Sequence, residues 1–230
     1  SYYTFKRCAK AVIGSLDTVD GGKEAKTREV KLAAFFTGSM KKGKPWRNKD
    51  STTYIATTQR WEEYSKMARR EFDRRFPMTP ETTIFLSDGG AWLKSVHRNH
   101  FPFSIMILDI YHALEHLKEI MLLLGYKEKT DEWMECFRKW KRMFKEGRVR
   151  AVVKEAEEKS KGGSHASEVD KKLQYFRDNF DRMKYDEYIL NGWFIGSGVV
   201  ESACKCVVQQ RPYIRYPRNR YFRTLYSGSA

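Results

Sequence analysis

Two short apolar runs, each closed by an aspartate, constrain this chain most. "IFLSD" ends at Asp88 and "IMILD" ends at Asp109. Runs of this length bounded by turn residues read as buried strands. Between them "GGAWLKSVHRNH" reads as a helix, and the stretch from Tyr111 to Leu124 carries an Ile110, Leu114, Leu117, Met121, Leu124 stripe at helical spacing. Strand, helix, strand, helix implies parallel pairing with right-handed crossovers, and hence an α/β sheet. Side chains just beyond the carboxyl ends of parallel strands face the crevice where ligands bind, so Asp88 and Asp109 are placed to meet there.

Upstream, "REVKLAAFFTG" (28–38) and "STTYIATT" (51–58) are strand-like and joined by the basic loop "SMKKGKPWRNKD", which predicts a long hairpin. From Trp61 to Phe76 the spacing of Trp61, Tyr64, Ala68 and Phe72 suits an amphipathic helix with Arg69, Arg70, Arg74 and Arg75 outward. The first 27 residues read as an irregular lead-in. After Gly125 the pattern is helical alone, with segments Trp133 to Lys145, Arg148 to Lys159 and Glu168 to Tyr188 rich in Lys and Arg. The expected organisation is a core over 1–124, a basic helical insertion over 125–190, a helix carrying Glu201 that returns to the core over 191–211, and a divergent tail over 212–230.

The chain carries 44 Lys and Arg against 29 Asp and Glu, a net charge of +15. A field of that sign favours polyanions, nucleic acid above all, because each neutralised phosphate releases a condensed counterion. The four cysteines lack C-x-x-C spacing, which argues against a disulfide framework and a zinc knuckle and makes a reduced, cytoplasmic setting the expectation. No apolar run has the length of a membrane span, and the first residues lack the apolar region of a signal peptide.

Paired strand-end acids suit magnesium, which takes oxygen ligands and keeps several waters, and two such ions can hold both oxygens of a phosphodiester displacement. The bland reading is that each Asp caps the helix that follows it. A third acid, Glu201, follows the glycine-punctuated "IGSGVVES", where the backbone can approach a ligand closely; a Glu near a helix start is also favourable with the helix dipole alone. His112, Glu115 and His116 spell H-x-x-E-H, so a zinc peptidase with Glu187 or Glu201 as third ligand is a competing reading. That reading explains neither the charge nor Asp88.

The stretches "AKTREVKL", "STTY", "SDGGAW", "FPFSIMILDIYHALEHL" and "IGSGVVESACK", in this order over residues 25–211, closely resemble bacterial insertion-sequence transposases of the ISKra type, which have a ribonuclease-H-like DDE catalytic domain. The resemblance implies a ribonuclease-H-like mixed sheet flanked by helices, with an all-helical insertion before the catalytic Glu. It also implies metal-dependent DNA strand cleavage and strand transfer without a covalent enzyme intermediate. Asp88 matches the second catalytic Asp and Glu201 the catalytic Glu, both ligands of magnesium, for which manganese can substitute. Asp109 and His112 match the D-x-x-H signature near the site.

Lys205 and Arg211, beyond Glu201, and the basic insertion are the expected contacts to double-stranded DNA. The expected partners are transposon ends, target DNA and further copies of the chain in a synaptic complex, with nucleoid association and no membrane. Two stretches depart from the family. Its first catalytic Asp opens a D-G-T-like strand upstream of "EVKL", expected to fall before or at the very start of this chain, and no D-G-T occurs here; Asp17 and Asp20 match it poorly. Downstream of Arg211, where the family continues as a helix, "PYIRYPRNRYFRTLYSGSA" has no amphipathic period, so the chain is expected to be a fragment of doubtful activity. A non-catalytic basic nucleic-acid-binding protein is the alternative.

Overall fold

The computed structural model describes residues 2–11, 28–78, 80–196 and 222–225. Its strands are β1 (Tyr2–Ala11), β2 (Arg28–Phe36), β3 (Gly38–Lys41), β4 (Lys44–Arg47), β5 (Thr53–Thr57), β6 (Ile84–Ser87), β7 (Ile105–Leu108) and β8 (Phe222–Leu225). Its α-helices are α1 (Trp61–Arg75), α2 (Ala91–His100), α3 (Ile110–Leu123), α4 (Asp131–Lys145), α5 (Val149–Ser160), α6 (Ala166–Arg177) and α7 (Tyr185–Leu190).

Six strands form one mixed sheet in the order β7-β6-β1-β2-β5-β8. β1, β2 and β5 make an antiparallel meander, β6 lies parallel to β1, and β7 lies parallel to β6. The predicted parallel pairing of the two Asp-terminated strands therefore holds, with Ser87 opposite Leu108. Alternation along the strands divides the core between the two faces. Phe35, Ile55 and Phe85 pack with Tyr64, Ala68 and Phe72 of α1 and with Leu93 and Val96 of α2. Phe36, Ile84 and Leu86 face the other way, onto Leu114, Leu117 and Met121 of α3, and this second cluster continues without a break through Trp140, Phe144, Val153, Leu173 and Phe176. The helical insertion thus shares its core with one face of the sheet. Each fully buried aliphatic side chain there contributes on the order of 1.5–3 kcal/mol.

Five sequence expectations need correction. The irregular lead-in contains β1, at the centre of the sheet. Asp17 and Asp20 lie outside the described residues. The basic loop of the long hairpin is itself a two-stranded ribbon, β3–β4, because Lys42 and Gly43 both adopt positive φ, 50° and 71°, as a tight two-residue hairpin turn requires. The helix expected from Glu168 to Tyr188 breaks into α6, a short 3-10 turn at Phe180–Arg182 and α7. Asn179 causes the break: its buried side chain donates back to the Tyr175 carbonyl at 2.6 Å and accepts from Arg182, which takes backbone and side chain out of helical register. The divergent tail supplies β8, antiparallel to β5.

Arg75 is also not outward. Its guanidinium donates to Thr53 Oγ1 at 2.6 Å and to the Ser51 carbonyl, tying α1 to the start of β5. Asp131 and Glu132 open α4 behind a Thr130 cap, a favourable start against the helix dipole.

Candidate active site at the strand ends

β6 and β7 end level with each other, and a backbone hydrogen bond holds the residues just beyond them in place: the Asp109 amide donates to the Ser87 carbonyl at 2.8 Å. Asp88 and Asp109 consequently leave adjacent strand ends, spaced by the interstrand distance of roughly 4.8 Å. Both are buried, Asp88 6% and Asp109 1% exposed. Each turns one oxygen to the backbone of its own turn. Asp88 Oδ1 accepts from the Gly90 amide at 3.0 Å, and Asp109 Oδ1 accepts from the Tyr111 amide at 2.9 Å as the N-cap of α3. The helix-capping role is therefore real for Asp109, and Asp88 closes the turn that leads into α2. Capping alone does not require such burial, because desolvating a carboxylate is expensive and a surface cap avoids that cost.

The insertion reaches back over these strand ends, which the sequence did not reveal. Tyr175 of α6 lies against His116 with ring centroids 4.0 Å apart, and it approaches Gly89 so closely that a Cβ there would overlap the hydroxyl-bearing edge of the phenol. Glycine at 89 is thus required by packing. The Tyr175 hydroxyl is buried and has no hydrogen-bond partner among the described residues. Burial pushes its pKa up, and the negative charges of Asp88, Asp109 and Glu115 push the same way, opposed by Arg182. The shared influence of both aspartates puts the Tyr175 phenol within reach of their field.

Arg182 is a buried cation in this region. It is 2% exposed, donates through Nε to Asn179 Oδ1 at 2.9 Å, and points Nη1 toward Met106 Sδ at 3.6 Å. Burial lowers its pKa, while Tyr175, Asp181, Tyr185 and Asp88 favour its charged form. Tyr185, fully buried, donates its hydroxyl to the Leu108 carbonyl at 3.1 Å, clamping the insertion to the end of β7. The chain then returns to the same place, where the Ile110 amide donates to the Ile195 carbonyl at 2.8 Å beside Asp109. Glu201, Lys205 and Arg211 come after this segment and lie outside the described residues.

His112 and His116 stand one turn apart on one face of α3, ring centroids 4.8 Å apart, as the H-x-x-E-H spacing allows. Each pairs with a glutamate on its own helix, His112 with Glu115 at 3.3 Å and His116 with Glu119 at 3.5 Å. Burial lowers the His116 pKa, helped by the neighbouring His112 and Lys172 and opposed by Glu119. Glu187, offered as a third zinc ligand, pairs instead with Lys184 at 3.8 Å. Among the described residues no group of three or more His, Cys, Asp or Glu is arranged to hold a metal ion. The described residues also include no helix long and apolar enough to cross a membrane.

Of the residues named from the sequence, Asp88 and Asp109 leave adjacent strand ends, and His112 follows in the first turn of α3, where its ring meets Tyr175 at 6.1 Å between centroids. Tyr175, Arg182 and Tyr185 were missed. Tyr175 falls between the stripe positions Leu173 and Phe176, so periodicity assigns it to the surface. Arg182 is one of two arginines among the aromatics of "YFRDNFDRMKY", and nothing in that stretch marks it apart from Arg177. No family model matches the chain, and no curated protein matches it.

Proposed function

We propose that this chain has the ribonuclease-H-like architecture of a DDE transposase of the ISKra type and that its strand-end site acts on DNA phosphodiesters. The observation that carries the reading is the placement of Asp88 and Asp109, buried and adjacent, at the carboxyl ends of the two parallel strands. The strand order supports it: a three-stranded antiparallel meander with its first strand central, extended on the β1 side by two parallel strands, is the order that the ribonuclease-H-like fold requires.

The donor set fits a hard divalent cation in kind, since it offers carboxylate oxygens and no thiolate. Magnesium or manganese would be held by Asp88 and Glu201 with Asp109 beside them, and when bound supplies charge neutralisation at the phosphate and activation of water. In this reading Asp109 fixes the start of α3, His112 stands one turn further along it, and Arg182 supplies a buried positive charge that Asp88 helps to sustain. Tyr175 excludes water from above. Lys205, Arg211 and the basic insertion would contact the duplex.

A second reading is favoured by one specific observation. β1, "YYTFKRCAKA", occupies the central position from which the family supplies its first carboxylate, and it contains no Asp or Glu. A chain with the fold but not the full acid set would bind nucleic acid without cutting it.

The deciding experiment compares wild type and Asp88→Asn on end-labelled duplex DNA with magnesium or manganese. Metal-dependent nicking by wild type alone supports the transposase reading. Equal nicking by both proteins, or binding without nicking by either, removes the catalytic reading and leaves the binding one.

A further inference from the structure

The β3–β4 ribbon has two unlike faces. Its register pairs Gly38 with Arg47, Ser39 with Trp46, Met40 with Pro45 and Lys41 with Lys44. Side chains alternate along each strand, so Ser39, Lys41, Lys44 and Trp46 share one face and Gly38, Met40, Pro45 and Arg47 the other. The second face is partly seated on the body of the protein, with Met40 still 50% exposed. Arg47 Nη1 reaches Tyr54 Oη at 3.5 Å, and Met40 packs so closely on Gly192 that a Cβ there would overlap its sulfur. All four residues of the first face are exposed.

That outward face is an unusual surface for a free protein to maintain. Lys41 and Lys44 are directly opposed, and like charges in a cross-strand pair are destabilising. Lys42 adds a third ammonium at the tip. Trp46 is 51% exposed, and Lys41 Nζ stands 4.9 Å from the centre of its ring. Lysines on a ribbon can simply discourage association of exposed strands, but an exposed tryptophan among them works against that purpose. The arrangement suits a ligand that brings negative charge to the lysines and a flat ring to the indole.

We propose that the outward face of the β3–β4 ribbon binds unpaired nucleic acid, with phosphates bridging Lys41, Lys42 and Lys44 and one base stacked on Trp46. The base face must be accessible, which selects single strands or melted ends over intact duplex. An acidic peptide would satisfy the lysines and leave the indole idle. The turn, preset by positive φ at Lys42 and Gly43, presents the ribbon in its binding shape without an ordering cost. This surface lies apart from the strand-end carboxylates, and its function does not depend on whether they cleave DNA.

The test measures binding of the full chain to a fluorescein-labelled oligothymidylate, to duplex of equal length and to vesicles of mixed phosphatidylserine and phosphatidylcholine. Trp46→Ala should weaken oligothymidylate binding about 10-fold, and Trp46→Phe should retain most of the affinity, in line with the worth of one base–aromatic stack. The double variant Lys41→Gln, Lys44→Gln should lower the slope of log affinity against log salt by about 1.4, two single-strand phosphate contacts. Unchanged melting curves for these surface variants exclude unfolding as the cause. The proposal is overturned if Trp46→Ala binds the oligonucleotide as wild type does, if it weakens duplex and single strand equally, or if only the vesicles respond to it. These measurements read binding without added divalent metal, whereas the cleavage reading is scored by nicking, so failure here and failure of the cleavage reading are separately visible.

Discussion

The Tyr175 phenol lies over the His116 imidazole, ring centroids 4.0 Å apart and planes tilted by 34°, and this contact locks the helical insertion onto the helix that Asp109 begins. Because the Tyr175 hydroxyl is buried without a partner among the described residues, the ring carries the interaction. Tyr175→Phe should therefore be neutral or slightly stabilising, within about 1 kcal/mol. Tyr175→Ala, which removes the half-buried ring, should cost about 2 kcal/mol. Urea unfolding of the two variants checks this, and a larger loss from Phe than from Ala would sink it.

Gly89→Ala should destabilise the protein in a way that depends on Tyr175. A methyl at 89 collides with the phenol, whereas in a Tyr175→Ala background the space is open. The two substitutions should therefore be coupled by at least about 1 kcal/mol in a double-mutant cycle. Strict additivity would show that position 89 is sensitive for another reason.

Asp109→Asn and Asp109→Ala should separate the two roles of that residue. Asn caps a helix about as well as Asp, so Asp109→Asn should keep stability near wild type, while Asp109→Ala should lose about 1 kcal/mol with the bond to Tyr111. If the strand-end site binds a divalent cation, both variants should lose the thermal stabilisation that manganese gives wild type. Retention of that stabilisation in Asp109→Asn would exclude the Asp109 carboxylate from the cation's surroundings.

Stability should fall as pH drops below about 6.5. His100 and His116 both have pKa values lowered chiefly by burial, with Arg69 and Lys66 adding to the effect at His100 and His112 and Lys172 at His116. Between the lowered native pKa and the ordinary value of 6.5 the unfolded chain binds more protons than the native one, so acid favours unfolding in that window and stability recovers above it. Melting temperatures from pH 7.5 to 5.5 should decline, and less so for a His100→Gln, His116→Asn double variant. An equal decline in both proteins would assign the effect to other groups.

His116→Ala should leave zinc content unchanged and low. His112 and His116 each pair with a glutamate on their own helix, and the proposed third ligand Glu187 is engaged by Lys184. One equivalent of zinc in the purified wild-type protein, lost on this substitution, would revive the peptidase reading.

The parts of the fold legible in the sequence were those with strict local period. "IFL" is wholly buried and "IMIL" is buried at Ile107 and Leu108, with Ile105 and Met106 only partly covered on an edge strand, and the α3 stripe repeats every three to four residues, so strands, helix and parallel pairing could be derived directly. Trp133 to Lys145 and Arg148 to Lys159 were legible for the same reason. The site was legible only where a residue ends a strand, as Asp88 and Asp109 do. Tyr175 and Arg182 owe their positions to the way α6 folds back across the sheet, a long-range event with no local periodic trace. β1 was missed because "YYTFKRCAKA" mixes aromatic, basic and small residues without alternation, and its strand state depends on partners at Val30 to Phe36 and Ile84 to Ser87.

The continuous core that joins α3 to Trp140, Phe144 and Phe176 has a consequence for how such a chain can change over generations. An appendage hung from a fold by two loops can be trimmed, exchanged or lost while its host survives. Here, deletion of 125–190 would strip Trp140, Phe144, Val153, Leu173 and Phe176 from the shared core and uncover the ends of β6 and β7 together. Substitutions that drift through the helical region are therefore filtered by the needs of the sheet, and the two parts must be inherited as one.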